Sequence, residues 1–187
     1  MMRLSKLIAL VSLLAMVVVS PAMAYDFLER ETTINVQIGL LSPGTFWVEG
    51  REFETDLSFS FSGGLDYKLG PKISGGVVGG FSNFSGYDDS ASMIELGFMI
   101  KAWIQQDGSN LLFRPGFGIS YGKLGAIGPA DSSGYLIING TFELVILTEK
   151  NFNWLIMAGI TGAPAGGNDE FEMTYGPGFI LRGGVAF

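Results

Sequence analysis

The side chains able to do chemistry in this sequence are carboxylates, amines, guanidiniums and hydroxyls, because histidine and cysteine are both absent. That excludes a thiol nucleophile, a disulfide framework, zinc sites of the usual ligand types and a histidine-based triad. A serine activated by lysine or a carboxylate is chemically open, yet no residue pair is singled out for it. The glycine pairs Gly75-Gly76 and Gly79-Gly80 are not a phosphate loop, since no Gly-Lys-Ser/Thr follows them; close backbone packing explains them better. Acidic groups gather at Glu49 and Glu52, at Asp88-Asp89, at Asp131 and at Asp169-Glu170 with Glu172. None has calcium-loop spacing, so they read as a solvated acidic surface without a metal site or cofactor. Glu95, Arg114, Glu143 and Arg182 are different in kind: held at membrane depth they would form either a gate on an ion path or a paired network filling an interior. Which of these holds depends on the elements that position them.

The chain is 48% hydrophobic and only 16% charged, too apolar for an ordinary soluble domain. Met1 to Ala24 carries Arg3 and Lys6, an apolar stretch from Leu7 to Val19, and an Ala22-Met23-Ala24 ending that suits signal peptidase. The apolar stretch is shorter than the ~20 residues of a spanning helix. Residues 1–24 therefore read as an export signal and 25–187 as one domain. Losing the signal removes two basic residues and no acid, making the formal charge of −7 more negative still. That argues against nucleic-acid partners, which select basic surfaces.

No run of 18 apolar residues follows the signal, so helices do not cross a membrane here. The period is two instead. From Leu57 the residues Leu57, Phe59, Phe61, Leu65, Tyr67 and Leu69 share one parity, while Asp56, Ser58, Ser60, Ser62, Asp66 and Lys68 share the other. The same alternation predicts strands over Thr33 to Leu41, Leu57 to Leu69, from Ile73 through Phe81, Ala91 to Gln105, Leu111 to Gly122, Tyr135 to Leu147, Asn153 to Gly162 and Thr174 to Phe187. Short turns at Gly70-Pro71-Lys72, Asp107 to Asn110 and Glu149 to Asn151 alternate with longer connections at Ser42 to Glu52, Ser85 to Ser90, Leu124 to Ser133 and Ala163 to Met173. An even strand number with that asymmetry predicts an all-β, eight-stranded antiparallel up-and-down transmembrane β-barrel with both termini in the periplasm.

Across these strands the apolar parity carries no Asp, Glu, Lys or Arg, as a lipid-facing surface requires. The other parity carries Asp56, Asp66, Lys68, Glu95, Lys101, Arg114, Glu143 and Arg182, four of each sign, which suits pairing in a narrow lumen. An eight-stranded barrel is just wide enough for side chains to fill it, so this charge network is expected to plug the lumen rather than line a wide pore. Met93, Met99, Trp103, Leu155 and Met157 share the inward parity and read as core filling, against the alternative of a methionine-lined apolar pocket. Pro115 and Pro177 fall inside strands and are expected at rims or bulges.

The final strand, with Tyr175, Phe179, Leu181, Val185 and a terminal Phe187 on alternate positions, resembles the C-terminal assembly signal of outer-membrane barrels. With the export signal, the eight strands and the segment Gly64-Leu65-Asp66-Tyr67-Lys68-Leu69-Gly70-Pro71-Lys72, the chain resembles the small eight-stranded outer-membrane β-barrel family, which includes the barrel of outer membrane protein A and the opacity proteins. The resemblance implies a monomer in the bacterial outer membrane, inserted by the barrel-assembly machinery and surrounded by membrane lipid and lipopolysaccharide. It implies no single function, since adhesins, envelope-stabilising proteins, narrow channels and lipid A-modifying enzymes share the architecture. The enzymatic branches use histidine, which is lacking here. The expected role is therefore structural or surface-interactive through the loops, with a narrow channel for small solutes or hydrophobic compounds as the alternative and a lipid-modifying enzyme behind it.

Overall fold

The computed structural model describes residues 27–86, 89–105, 108–126, 132–148, 152–168 and 172–187; the expected export signal, 1–24, lies outside them. The strands are β1 (Thr32–Ser42), β2 (Thr45–Val48), β3 (Arg51–Glu54), β4 (Ser58–Gly70), β5 (Ile73–Gly86), β6 (Asp89–Ala102), β7 (Ile104–Gln105), β8 (Leu111–Leu124), β9 (Ser133–Ile146), β10 (Asn153–Gly167) and β11 (Met173–Ala186). The wall runs β1-β4-β5-β6-β8-β9-β10-β11, and β1 also pairs with β11, closing an eight-stranded antiparallel barrel as the alternation predicts. β7 continues β6 beyond Trp103 in the same register against β8. Two ends result: a terminal end, where β1 begins and β11 finishes, and an opposite loop end.

The two parities separate as expected. Phe59, Leu65, Val77, Leu96, Phe98, Phe117, Ile119, Phe142, Ile156, Phe179 and Leu181 lie exposed on the outer wall, while Ser60, Ser62, Asp66, Lys101, Arg114, Asn139, Glu143 and Arg182 are buried within. A molecule with its apolar residues outside and its ions inside is built for a hydrocarbon solvent.

The loop end departs from the expected pattern. The connection at Ser85 to Ser90 is mostly strand, with Ser85 paired with Ser90 and Gly86 with Asp89. The connection at Ser42 to Glu52 holds β2 and the start of β3. Leu41 faces Ser58 and Thr45 faces Glu54 in one unbroken register, so β1-β2 and β3-β4 form a single long hairpin interrupted at Pro43-Gly44. Its tip, Glu49-Gly50, has φ of 51° and 74°, the sign that a two-residue hairpin turn of this handedness requires. β8 runs on to Leu124 and thereby places Lys123 on the exposed parity, so the outer face carries one charge that shorter strand bounds conceal.

The prolines explain the other departures. Pro177 cannot donate to the ladder, and β11 gains one residue against β10 between the pairs Thr161–Gly178 and Ala163–Tyr175. This bulge flips the parity, so Tyr175 turns inward instead of sharing the outer face of Phe179 and Leu181; Val185 and Phe187 are half-buried. Pro115 lies within β8 rather than at its rim. The β6–β8 ladder stops at Lys101–Gly116 and resumes at Ile104–Phe113, skipping the rungs beside this proline, and the Trp103 N–H donates to Lys72 O instead at 2.8 Å.

Candidate functional site

The lumen is closed at three levels, and the middle one is ionic. Asp66 on β4, Lys101 on β6, Arg114 on β8 and Glu143 on β9 meet in a ring of alternating sign. Lys101 Nζ lies 2.9 Å from Asp66 Oδ2 and 3.0 Å from Glu143 Oε1, while Arg114 Nη2 lies 2.6 Å from Glu143 Oε2 and Nη1 lies 3.3 Å from Asp66 Oδ2. Arg114 and Glu143 are direct cross-strand partners. Asp66 reaches Lys101 across β5 because Gly76 has no side chain: a Cβ there would sit 2.7 Å from Asp66 Oδ1 and 2.2 Å from Leu65 O. All four side chains are at most 4% exposed, so each charge must be compensated inside the lumen, and two cations against two anions do so. Asn35 Nδ2 donates to Asp66 Oδ2 at 3.4 Å and Gln37 Nε2 to Glu143 Oε1 at 3.5 Å.

Toward the loop end, Arg182 Nη2 stands 3.9 Å from Glu95 Oε1, and Arg182 Nε donates to Ser60 Oγ at 3.0 Å. Gly80 makes room for Glu95, since a Cβ at that position would lie 2.4 Å from Glu95 Oε1. Between this pair and the ring is a cavity of about 20 Å³, lined by Asn35, Gln37, Glu95, Met99, Asn139 and Arg182 among others. That is room for about one water.

Aromatic residues close both ends. At the terminal end Phe27 is buried and stacks on Trp103, with ring centroids 5.8 Å apart at 17°. The Arg114 guanidinium lies over both rings, at 5.7 Å and 5.9 Å. Lys68 stays outside the ion ring: its ammonium donates to Leu28 O and sits 5.5 Å from the centre of the Trp103 ring. At the loop end Phe46, carried inward by the β2–β3 hairpin, stacks on Tyr175 at 5.1 Å and meets Phe84 and Tyr135 edge-on. Met93, Met99, Trp103, Leu155 and Met157 are all buried, and of these Met99 and Met157 line the small cavity beside its polar residues.

Of the eight charged residues read from the sequence as inward, the structure brings Asp66, Lys101, Arg114 and Glu143 into one ring, pairs Glu95 loosely with Arg182, and places Lys68 against the N-terminal segment. Asp56, the eighth charge of that parity, is exposed at the loop-end rim, where its N–H donates to Ser85 O. Phe27, Phe46 and Ser60 complete the closure without having been singled out. The inward glycines Gly76 and Gly80 signal only the crossings of Asp66 and Glu95. Of the loop acids, Glu49 Oε1 accepts from Glu172 N at 3.2 Å; Asp88, Asp131, Asp169 and Glu170 lie outside the described residues.

No protein-family model and no curated protein sequence matches the chain. Solved structures do. Neisserial surface protein A is similar with a TM-score of 0.55 at 9% identity, over 84% of this chain and 96% of that one. The outer membrane protein OprG from Pseudomonas aeruginosa is similar with a TM-score of 0.51 at 9% identity, over 83% and 95%. The chain thus has the fold of the small eight-stranded outer-membrane β-barrels.

Proposed function

We propose that this outer-membrane-type barrel is an integral protein of the bacterial outer membrane whose lumen is shut and whose working surface is its loop end, in a structural or surface-interaction role. The observation that carries this reading is the triple closure: Phe27 on Trp103, the ring of Asp66, Lys101, Arg114 and Glu143, and Phe46 on Tyr175, with a cavity of about 20 Å³ beside the ring. The reading includes export by residues 1–24, insertion by the barrel-assembly machinery through a final strand presenting Phe179, Leu181, Val185 and Phe187, and a monomeric barrel with its loop end outward. Tyr175 contributes to the loop-end closure rather than to that presented face.

It assigns no catalytic residue, because the buried carboxylates of the ring are engaged by Lys101 and Arg114. Single-channel recording in planar bilayers tests it: the wild-type barrel gives no stable openings, and stable openings above background overturn the closed-lumen role. One observation favours a narrow channel as the second reading. The space between the ring and Glu95 is lined by Asn35, Gln37, Ser62, Asn139 and Thr141 beside Met99 and Met157, so opening the ring together with the aromatic closures would leave a largely polar path.

A further inference from the structure

The charged side chains described on the eight wall strands face the lumen, with one exception. Lys123 lies on the exposed parity of β8, amid Ile94, Leu96 and Tyr121, which are among the most exposed apolar side chains of the molecule. Its height is informative. On the outward parity of β8 the apolar positions begin at Leu111, paired with Ile146. Lys123 lies twelve residues along the same strand, about 40 Å at ~3.3 Å per residue. At the usual tilt of about 40° that is about 30 Å along the membrane normal, just past the ~25 Å apolar band of such barrels. A lysine there stands at the headgroup plane of the loop-end leaflet.

The neighbours of Lys123 set a phenol beside it. Lys123 is flanked across the ladders by Ile94 on β6 and Gly134 on β9. The Tyr121 hydroxyl lies over that glycine, where a Cβ would be 2.2 Å from it, which brings the phenol beside the strand position of Lys123. Neither group has a hydrogen-bond or ion-pair partner among the described residues. Glu52, Glu54 and Glu172 are exposed at the same end and repel a phosphate elsewhere on the rim.

We propose that Lys123 and Tyr121 form a binding site for the phosphate of one lipid headgroup in the leaflet that meets the loop end. Lys123 Nζ and Tyr121 O–H donate to phosphate oxygens, and the acyl chains run down the apolar wall below. This rests on the membrane reading above.

Native mass spectrometry of the delipidated, detergent-held barrel tests it, with lipid A, phosphatidylglycerol and inorganic phosphate as separate probes. The expected result is retention of one phospholipid or lipid A molecule and no retention of inorganic phosphate. Lys123→Gln should weaken that retention about fivefold, the effect of one lysine at an anionic surface, and Tyr121→Phe should weaken it in the same direction. Unchanged lipid retention in Lys123→Gln overturns the site, and inorganic phosphate held as tightly as the lipid shows a free-anion site instead and overturns the lipid assignment. The heat-dependent shift of the same samples in SDS gels separates the two readings. A wild-type protein that never shifts defeats the membrane barrel itself, whereas a shifting Lys123→Gln variant that still holds lipid defeats only the site.

Discussion

Replacing Arg114 by Met keeps a side chain of similar length and removes one charge from a ring that is neutral only as a set. Asp66 and Glu143 would then face Lys101 alone, a net negative charge among side chains no more than 4% exposed. Arg114 also covers the Phe27 and Trp103 rings, so packing at the terminal end loosens with it. Breaking a buried pair from one side costs about 3–5 kcal/mol, mainly because a charge is stranded. The double variant Arg114→Met with Glu143→Gln restores neutrality, leaving Asp66 paired with Lys101 at 2.9 Å. It should be more stable than Arg114→Met alone by about 2 kcal/mol, the signature of coupled groups in a double-mutant cycle. Urea unfolding of the barrel in lipid vesicles, followed by tryptophan emission and gel mobility, gives all corners of the cycle. A loss below about 1 kcal/mol in Arg114→Met, or effects of the two substitutions that simply add, would refute the claim that the ring acts as one neutral unit.

Phe27→Ala should open the terminal end. With Trp47 and Trp154 changed to Phe, Trp103 emission should shift to the red and become accessible to aqueous iodide, while an unchanged quenching constant would remove Phe27 from the closure. Phe98→Arg, at mid-wall on the exposed face, should destabilise the inserted barrel by about 2–4 kcal/mol in vesicle unfolding; a neutral result would contradict lipid contact there. Gly80→Leu should fail to reach the heat-shifting folded form because its side chain meets Glu95, and Glu95→Ala in the same chain should restore folding. If it does not, the space at Gly80 serves something other than the carboxylate.

Alternation was enough to read the wall. Leu57 to Leu69 announces its two faces residue by residue, because a lipid-facing strand tolerates no charge at mid-depth and a narrow lumen tolerates no unpaired one. Which ions meet was not legible, since parity gives the face but not the level. Glu95 and Lys101 share a strand and a face, yet lie about 20 Å apart along it, so one meets Arg182 and the other the ring. That assignment depends on register between strands. Tyr175 shares the sequence parity of Phe179 and still points inward, because the bulge beside Pro177 adds a residue that periodicity cannot locate. Phe46 sits in a four-residue strand bounded by Gly44 and Gly50, which reads as loop until its pairing with Tyr175 is seen. Lys123 escaped because β8 extends beyond Gly122, where the predicted strand ended.

The central claim is that the apolar parity meets hydrocarbon and the ionised parity is sheltered from it. The direct measurement is quenching of single-tryptophan variants by lipids brominated at mid-chain, comparing a tryptophan introduced as Phe98→Trp with the native Trp103. The account predicts strong quenching at position 98, which is exposed on the outer wall, and little at Trp103, which is buried beside Phe27. Strong quenching of Trp103 with none at position 98 would contradict it.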